Sequence, residues 1–176
     1  MSHYLMRLPE EVRLSTGYRV LDGVDDLLPR LCRAGHFLGI TTGAVEAAAH
    51  IKLARANLNR FFLFGGYGSD SADRGGLTQR AIERAGAILG HKVDPQRVLV
   101  VGDTPHDITA AHAVGALGVG VASGHFTKDE LRDAGADYVL GSLLEKLPGV
   151  EEPADERDEF GGDGGELNPP SREDRS

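Results

Sequence analysis

Two carboxylates four residues apart, Asp103 and Asp107, close the segment Val100-Val-Gly-Asp-Thr-Pro-His-Asp107. The apolar start of that segment predicts a strand and its end the entry to a helix, so one acid leaves a strand and the other begins a helix. Such a pair can converge on a hard cation such as Mg²⁺, which takes oxygen ligands and keeps several waters. Gly102 lets the backbone come close. The alternative is that Asp107 caps its helix and Asp103 forms the turn, but Pro105 already shapes that turn and two acids exceed its needs. His106, in the same loop, is either a further ligand or a solvent-facing histidine.

A second chemical feature is Thr41-Thr42-Gly43, which ends an apolar run ahead of another helical segment. A hydroxyl beside a run of backbone N–H groups at a helix N-terminus is an anion site, because unpaired donors and the helix dipole both favour phosphate. The competing assignment is that Thr42 only caps the helix. A phosphate site also needs a fixed cation, and three positions compete. Lys92 precedes a strand and so stands at the wrong edge of a parallel sheet. Lys52 is in mid-helix. Arg74 follows the loop after a strand and precedes a helix, which selects it over a surface arginine paired with Asp70 or Asp73. The Gly65-Gly66-Tyr67-Gly68 stretch fits neither a P-loop nor a G-x-G-x-x-G turn and is expected to be a flexible connection.

The elements that must position these residues follow from hydrophobic spacing. Apolar runs of strand length occupy 36–41, 61–64, 97–101, 117–121 and 137–140. They are continuous rather than alternating, as in strands covered on both faces. Between them lie amphipathic segments of helical length, 24–34, 45–57, 77–89, 107–114 and 128–134. Leu28, Leu31 and Cys32 form one apolar stripe, and Leu77, Ala81, Ile82 and Ala85 another. Gly35, Gly90 and Gly115 stand where a left-handed residue closes a helix. Strands alternating with helices predict a three-layer α/β domain around a parallel sheet, in which ligands bind beyond the carboxyl ends of the strands.

Composition narrows the class further. The 176 residues include one cysteine, Cys32, which excludes an internal disulfide or a cysteine-rich zinc site. No charge-free apolar run approaches the ~20 residues of a membrane span, and the start does not read as a signal peptide. A cytoplasmic protein without membrane attachment is expected. Of the net charge of -8, residues 151–176 carry -7, with ten acids and three bases, and the first 150 residues carry -1. A nearly neutral body offers no Lys/Arg face for nucleic acid. The acidic segment 151–176, with its glycines, paired prolines and few apolar residues, is expected to be disordered, its partner, if any, unspecified.

The quoted residues resemble a known family. Leu38-Gly-Ile-Thr-Thr42-Gly43, Ile51-Lys-Leu-Ala-Arg-Ala-Asn-Leu58, Asp73-Arg74 and Val98-Leu-Val-Val-Gly-Asp103-Thr-Pro-His-Asp107 are similar to the second, third and fourth motifs of haloacid dehalogenase (HAD) superfamily phosphatases, phosphoglycolate phosphatase-like in flavour. The resemblance runs from about residue 17 to 147. Arg74 replaces the usual lysine, and Ala44 stands where asparagine often follows Thr-Gly. What the resemblance implies is a Mg²⁺-dependent phosphomonoester hydrolase acting on a small phosphorylated metabolite. Thr42, Arg74 and Asp103 would be its catalytic residues, with Thr42, Gly43 and Arg74 binding substrate and Asp103 and Asp107 the metal.

One motif of that family is missing. Its nucleophile is the first aspartate of an Asp-x-Asp-x-Thr/Val on the first strand, and no Asp-x-Asp occurs in the 176 residues. Asp22 could substitute at a strand end, but position 24 is Val, and the segment from Asp22 more simply starts a helix. The resulting expectation is a Rossmann-like HAD core at 21–150 lacking its first strand, a remnant of a helical cap at 1–20, and an incomplete, inactive and truncated enzyme. The alternative from another class is a non-catalytic phosphate-binding or interaction module on the same fold.

Overall fold

The computed structural model describes residues 2–150; the expected acidic segment 151–176 lies outside the described residues. Eleven elements follow in chain order: α1 (Ser2–Leu14), α2 (Val24–Arg33), β1 (Gly39–Thr42), α3 (Glu46–Ala54), β2 (Phe64–Tyr67), α4 (Arg74–Leu89), β3 (Leu99–Gly102), α5 (Pro105–Ala113), β4 (Leu117–Val121), α6 (Lys128–Asp133) and β5 (Tyr138–Leu140). This is the expected α/β alternation, and every strand pairing is parallel.

The strands form two sheets rather than one, β1-β2 and β3-β4-β5. Their relative placement follows from which helix covers which face. Gly118 and Gly120 of β4 pack against Ile108 and Leu131, so α5 and α6 cover one face. The alternate residues Val119 and Val121 join Leu27 and Leu31 in one core cluster, which puts α2 on the other. In β2, Gly66 packs on the backbone of Leu77 in α4, whereas Tyr67 meets His50 of α3, so α3 lies opposite α4. Helix α4 packs beside α5. Strand-helix-strand crossovers are right-handed in about 98% of cases. With α3 on one face and α4 and α5 on the other, the chain must step one way from β1 to β2 and the opposite way from β2 to β3. The order across the molecule is therefore β2, β1, an interval, β3, β4, β5.

Among the described residues, that interval leaves the inner edges of β1 and β3 without strand partners. Burial agrees: β4, paired on both sides, is covered from Gly118 to Val121, while Gly39 and Thr41 of β1 and Val101 of β3 are exposed. Val101 is 41% exposed in what should be the middle of a sheet.

The outer edge of β2 is closed by side chains instead. Arg84 donates from Nη1 to the Gly65 carbonyl at 2.6 Å and grips Asp70 through both terminal nitrogens, at 2.6 and 2.9 Å. Asp70 in turn accepts from the Tyr67 N–H at 2.9 Å, and its own N–H donates to the Tyr67 carbonyl at 2.7 Å. One ion pair thus occupies the backbone groups that an edge strand would offer to another chain.

Several local expectations are corrected. The second strand is not 61–64 but the Phe64-Gly65-Gly66-Tyr67 segment taken for a flexible connection. Glycine is required there: a Cβ on Gly66 would overlap the Leu77 carbonyl, and one on Gly65 would strike the Tyr67 ring. The stripe of α2 is Leu27 and Leu31; Cys32 is exposed. Residues 2–14 form a helix whose Leu8 and Val12 pack on Ala48 of α3, and Arg55 ties its end down through the Val12 and Ser15 carbonyls. Gly35, Gly90 and Gly115 do adopt positive φ, at 80°, 74° and 76°.

Asp137 joins the amino ends of the second sheet. It accepts from the Gly118 N–H at 2.7 Å and lies 3.0 Å from His112 Nε2. The Gly118 bond first, then His112, holds its carboxyl below the ordinary carboxylate range. A depressed folded value contributes stability above the unfolded carboxylate range that is lost as pH falls through the folded one. Asp137→Asn is therefore expected to flatten the acid limb of a urea-midpoint profile taken between about pH 7 and about pH 3. An unchanged acid limb would remove Asp137 from the account.

Candidate active site at the carboxyl edge

Thr42 ends β1 and Asp103 follows β3, so both stand at the carboxyl edge on either side of the unpaired interval. Thr42 does not cap a helix. Its hydroxyl accepts from the Ala44 N–H at 3.2 Å, and the N-cap of α3 is Val45, which has no side-chain cap bond. Gly43 is exposed, and the loop after β2 crosses it so closely that Gly68 has no room for a Cβ against the Gly43 carbonyl.

Asp107 is the third residue of α5 and acts as a helix-capping acid. Its Oδ2 accepts from the Thr104 N–H at 3.1 Å and the Thr104 hydroxyl at 2.7 Å, the reciprocal arrangement of a capping box. Its Oδ1 accepts from Arg74 Nη1. Gly102 is explained by the same residue, since a Cβ there would run into the Asp107 side chain. Arg74 pairs with neither of the acids weighed for it. Asp73 caps α4 by accepting from the Gly76 N–H at 2.9 Å, and Asp70 belongs to Arg84.

Asp103 is exposed, and its carboxylate lies against Gly124, where a Cβ would collide with Oδ2. The loop after β4 is thus shaped around this acid. Ser123, next in that loop, has a buried hydroxyl oxygen without a hydrogen-bond partner. The sequence reading passed over Ser123 and Gly124; a pair of small residues directly after the fourth strand was the available signal. His106 is exposed and lines an open groove of about 340 Å³ with Asp73, Arg74 and Thr109.

The structure therefore brings Arg74 and Asp107 into contact, whereas Asp103, directly after β3, lies against Gly124 of the loop after β4. Thr42, at the end of β1, bonds the Ala44 N–H and makes no hydrogen bond to Asp103 or Arg74. Lys52 is exposed on α3, Lys92 is exposed ahead of β3, and Asp22 is exposed in the turn before α2. Among the described residues, no three His, Cys, Asp or Glu side chains surround a point that could hold a metal ion. Mg²⁺ fits Asp103, a free oxygen donor with an open approach. It fits Asp107 only if Arg74 and the Thr104 bonds give way. Among the described residues, no helix is long and apolar enough to cross a membrane.

Comparison with known proteins bears on the family and the fold. Residues 74–146 match the HAD-hydrolase-like family. A probable phosphoglycolate phosphatase from Pseudomonas putida is 30% identical over 138 residues, which are 77% of this chain and 53% of that protein. The chain thus spans about half the length of the curated relative it matches. Among solved structures, a conserved haloacid dehalogenase-like protein from Agrobacterium tumefaciens shares 27% identity at a TM-score of 0.59, covering 78% of this chain and 60% of that one. CbbY from Rhodobacter sphaeroides, solved with xylulose-1,5-bisphosphate, shares the fold at a TM-score of 0.66 and 20% identity, covering 80% of this chain and 61% of that one. With its Rossmann-like α/β core and a HAD-hydrolase-like segment at 74–146, the chain is similar to phosphatases of the haloacid dehalogenase superfamily.

Proposed function

We propose that the chain supplies the phosphate-positioning and metal-binding half of a phosphomonoester hydrolase, phosphoglycolate phosphatase-like, and does not itself turn over substrate. The observation that carries this is the placement of Thr42 and Asp103 on opposite sides of an interval that holds no strand. A nucleophilic carboxylate would have to stand in that interval to reach a phosphoryl group between them. Covalent attack by such a group splits hydrolysis into two easier steps, and no acid among the described residues occupies the position.

The residues present perform the electrostatic part of the reaction. The Thr42 hydroxyl and the N–H groups after it would donate to phosphoryl oxygens. Arg74, freed from Asp107, would offset their charge, which is the larger share of catalysis in phosphoryl transfer. Mg²⁺, when bound, would supply charge neutralisation and hold an attacking carboxylate against the substrate. In this chain it would rest on Asp103 and waters, with Asp107 joining only when Arg74 moves to phosphate, so its binding is weak. A small phosphorylated metabolite is the substrate class, in a cytoplasmic setting.

The test is direct. The purified chain, given a generic aryl phosphate and Mg²⁺, is expected to release no phosphate above the uncatalysed background. Metal-dependent turnover that Asp103→Asn abolishes and Asp22→Asn spares would overturn the inactive reading and reveal an acid that has been overlooked. The purely non-catalytic module is favoured if Asp103→Asn leaves Mg²⁺ affinity unchanged.

A further inference from the structure

A second polar cluster lies away from the carboxyl-edge site, in an open cavity of about 360 Å³ between α3 and α4 at the outer side of β2. Glu46 and His50 are one turn apart on α3, with Oε1 and Nε2 separated by 3.8 Å. The Tyr67 hydroxyl lies 3.4 Å from the same Nε2. The other ring nitrogen of His50 is already committed: Nδ1 is 3.0 Å from Asn59 Oδ1, and Asn59 Nδ2 donates to the His50 carbonyl at 3.0 Å. The second bond orients the amide so that its oxygen faces the ring. Nδ1 therefore carries the proton and Nε2 presents its lone pair to Glu46 and Tyr67.

We propose that Glu46 Oε1, His50 Nε2 and the Tyr67 hydroxyl form a binding site for a borderline divalent transition ion such as Zn²⁺. The imidazole ligand selects Zn²⁺, Cu²⁺ or Ni²⁺ over Mg²⁺, which takes oxygen donors alone. Bonds of about 2.0–2.1 Å in a tetrahedron place ligand atoms roughly 3.3 Å apart. The His50–Tyr67 separation already matches, and Glu46, exposed and on a flexible stem, needs to close by about half an ångström. Asn59 serves as the outer partner that fixes tautomer and ring, as ligating histidines commonly require. Arg84 lies near the Tyr67 ring but is neutralised by Asp70, so Glu46 sets the local charge. Water from the cavity completes the fourth position.

The proposal is independent of the phosphatase reading, and its experiment is separable from it. The untagged chain is titrated with Zn²⁺ by calorimetry and with Co²⁺ by visible absorption. Zn²⁺ binding is expected to be weakened at least tenfold by His50→Ala and about tenfold by Asn59→Ala. Tyr67→Phe should alter the Co²⁺ spectrum. Proton-nitrogen NMR of the histidines in the unmodified chain reads the same site without a variant: the His50 Nε2 resonance must move on Zn²⁺ addition while Nδ1 keeps its proton. An unmoved His50 Nε2, or a Zn²⁺ affinity indifferent to His50→Ala, overturns the assignment.

Discussion

Fusing a family first strand that carries Asp-x-Asp, together with its helical cap, ahead of Met1 is expected to give phosphatase activity that the unfused chain does not show in the same assay. Among the described residues β1 and β3 each have one strand partner, and the order derived from the crossovers sets their free edges on the two sides of one interval. A single parallel strand there would satisfy both, and its carboxyl end would emerge between Thr42 and Asp103. Within the active fusion, Asp103→Asn should remove nearly all of kcat through loss of the metal. Thr42→Ala should lower kcat by about 10²-fold, the scale of one lost donor to a developing oxyanion. Arg74→Lys should be better tolerated than Arg74→Ala, because a point charge still reaches phosphate although the fork geometry is lost. Should Arg74→Ala turn over as fast as its parent, Arg74 is only the partner of Asp107 and Lys52 becomes the next position to test. A fusion that folds and stays inactive would refute the placement of the interval itself.

Gly66→Ala is expected to be the most damaging one-carbon change in the described chain. Strand β2 and helix α4 meet backbone to backbone at this residue, so an added methyl meets the Leu77 carbonyl rather than a side chain that can rotate away. Overpacking at such sites costs about 1–3 kcal/mol or more, and displacement of α4 would also disturb Arg74 at its first turn. Gly43→Ala is the matched control, with nothing within 4 Å of the added carbon. Urea midpoints for the two variants should separate clearly. Equal midpoints would mean that α4 can slide without cost.

The same glycine shows why the second strand escaped the sequence reading. Periodicity registers side-chain hydropathy, and Gly65 and Gly66 have none, although both are buried. The apolar residues just before them, Phe61 to Phe64, drew the strand three positions too early. The other four strands carry valine, leucine or isoleucine and were legible, as were the helices that follow them. The acids and Thr42 were legible because strand ends are marked by the switch from apolar to polar. Their partners were not. Arg74 could be placed at the right edge, yet its engagement with Asp107 depends on how α4 lies beside α5, which no local pattern states. Arg84 and Asp70 are 14 residues apart and looked like ordinary surface charges, and only the edge position of β2 gives them a task. The expectation of a core without its first strand rested on the absent Asp-x-Asp motif, and the division into two sheets could be seen only from the strand pairing.

The division into two sheets changes what a denaturation curve measures. Every strand pairing joins neighbours in sequence: Gly39 pairs with Phe64, Leu99 with Leu117 and Val119 with Tyr138. Among the described residues no hydrogen-bonded ladder links the first sheet to the second, and they are connected through α4 against α5 and through α2, which packs with residues flanking both. Loops closed between sequence neighbours are short, which favours rapid and separate formation of each half. Contiguous cooperative units of this kind open with their own free energies. Unfolding followed near Gly66 therefore reports the β1–β2 unit, and unfolding followed near Asp137 reports the β3–β4–β5 unit. A single ΔG describes the chain only where the two transitions coincide.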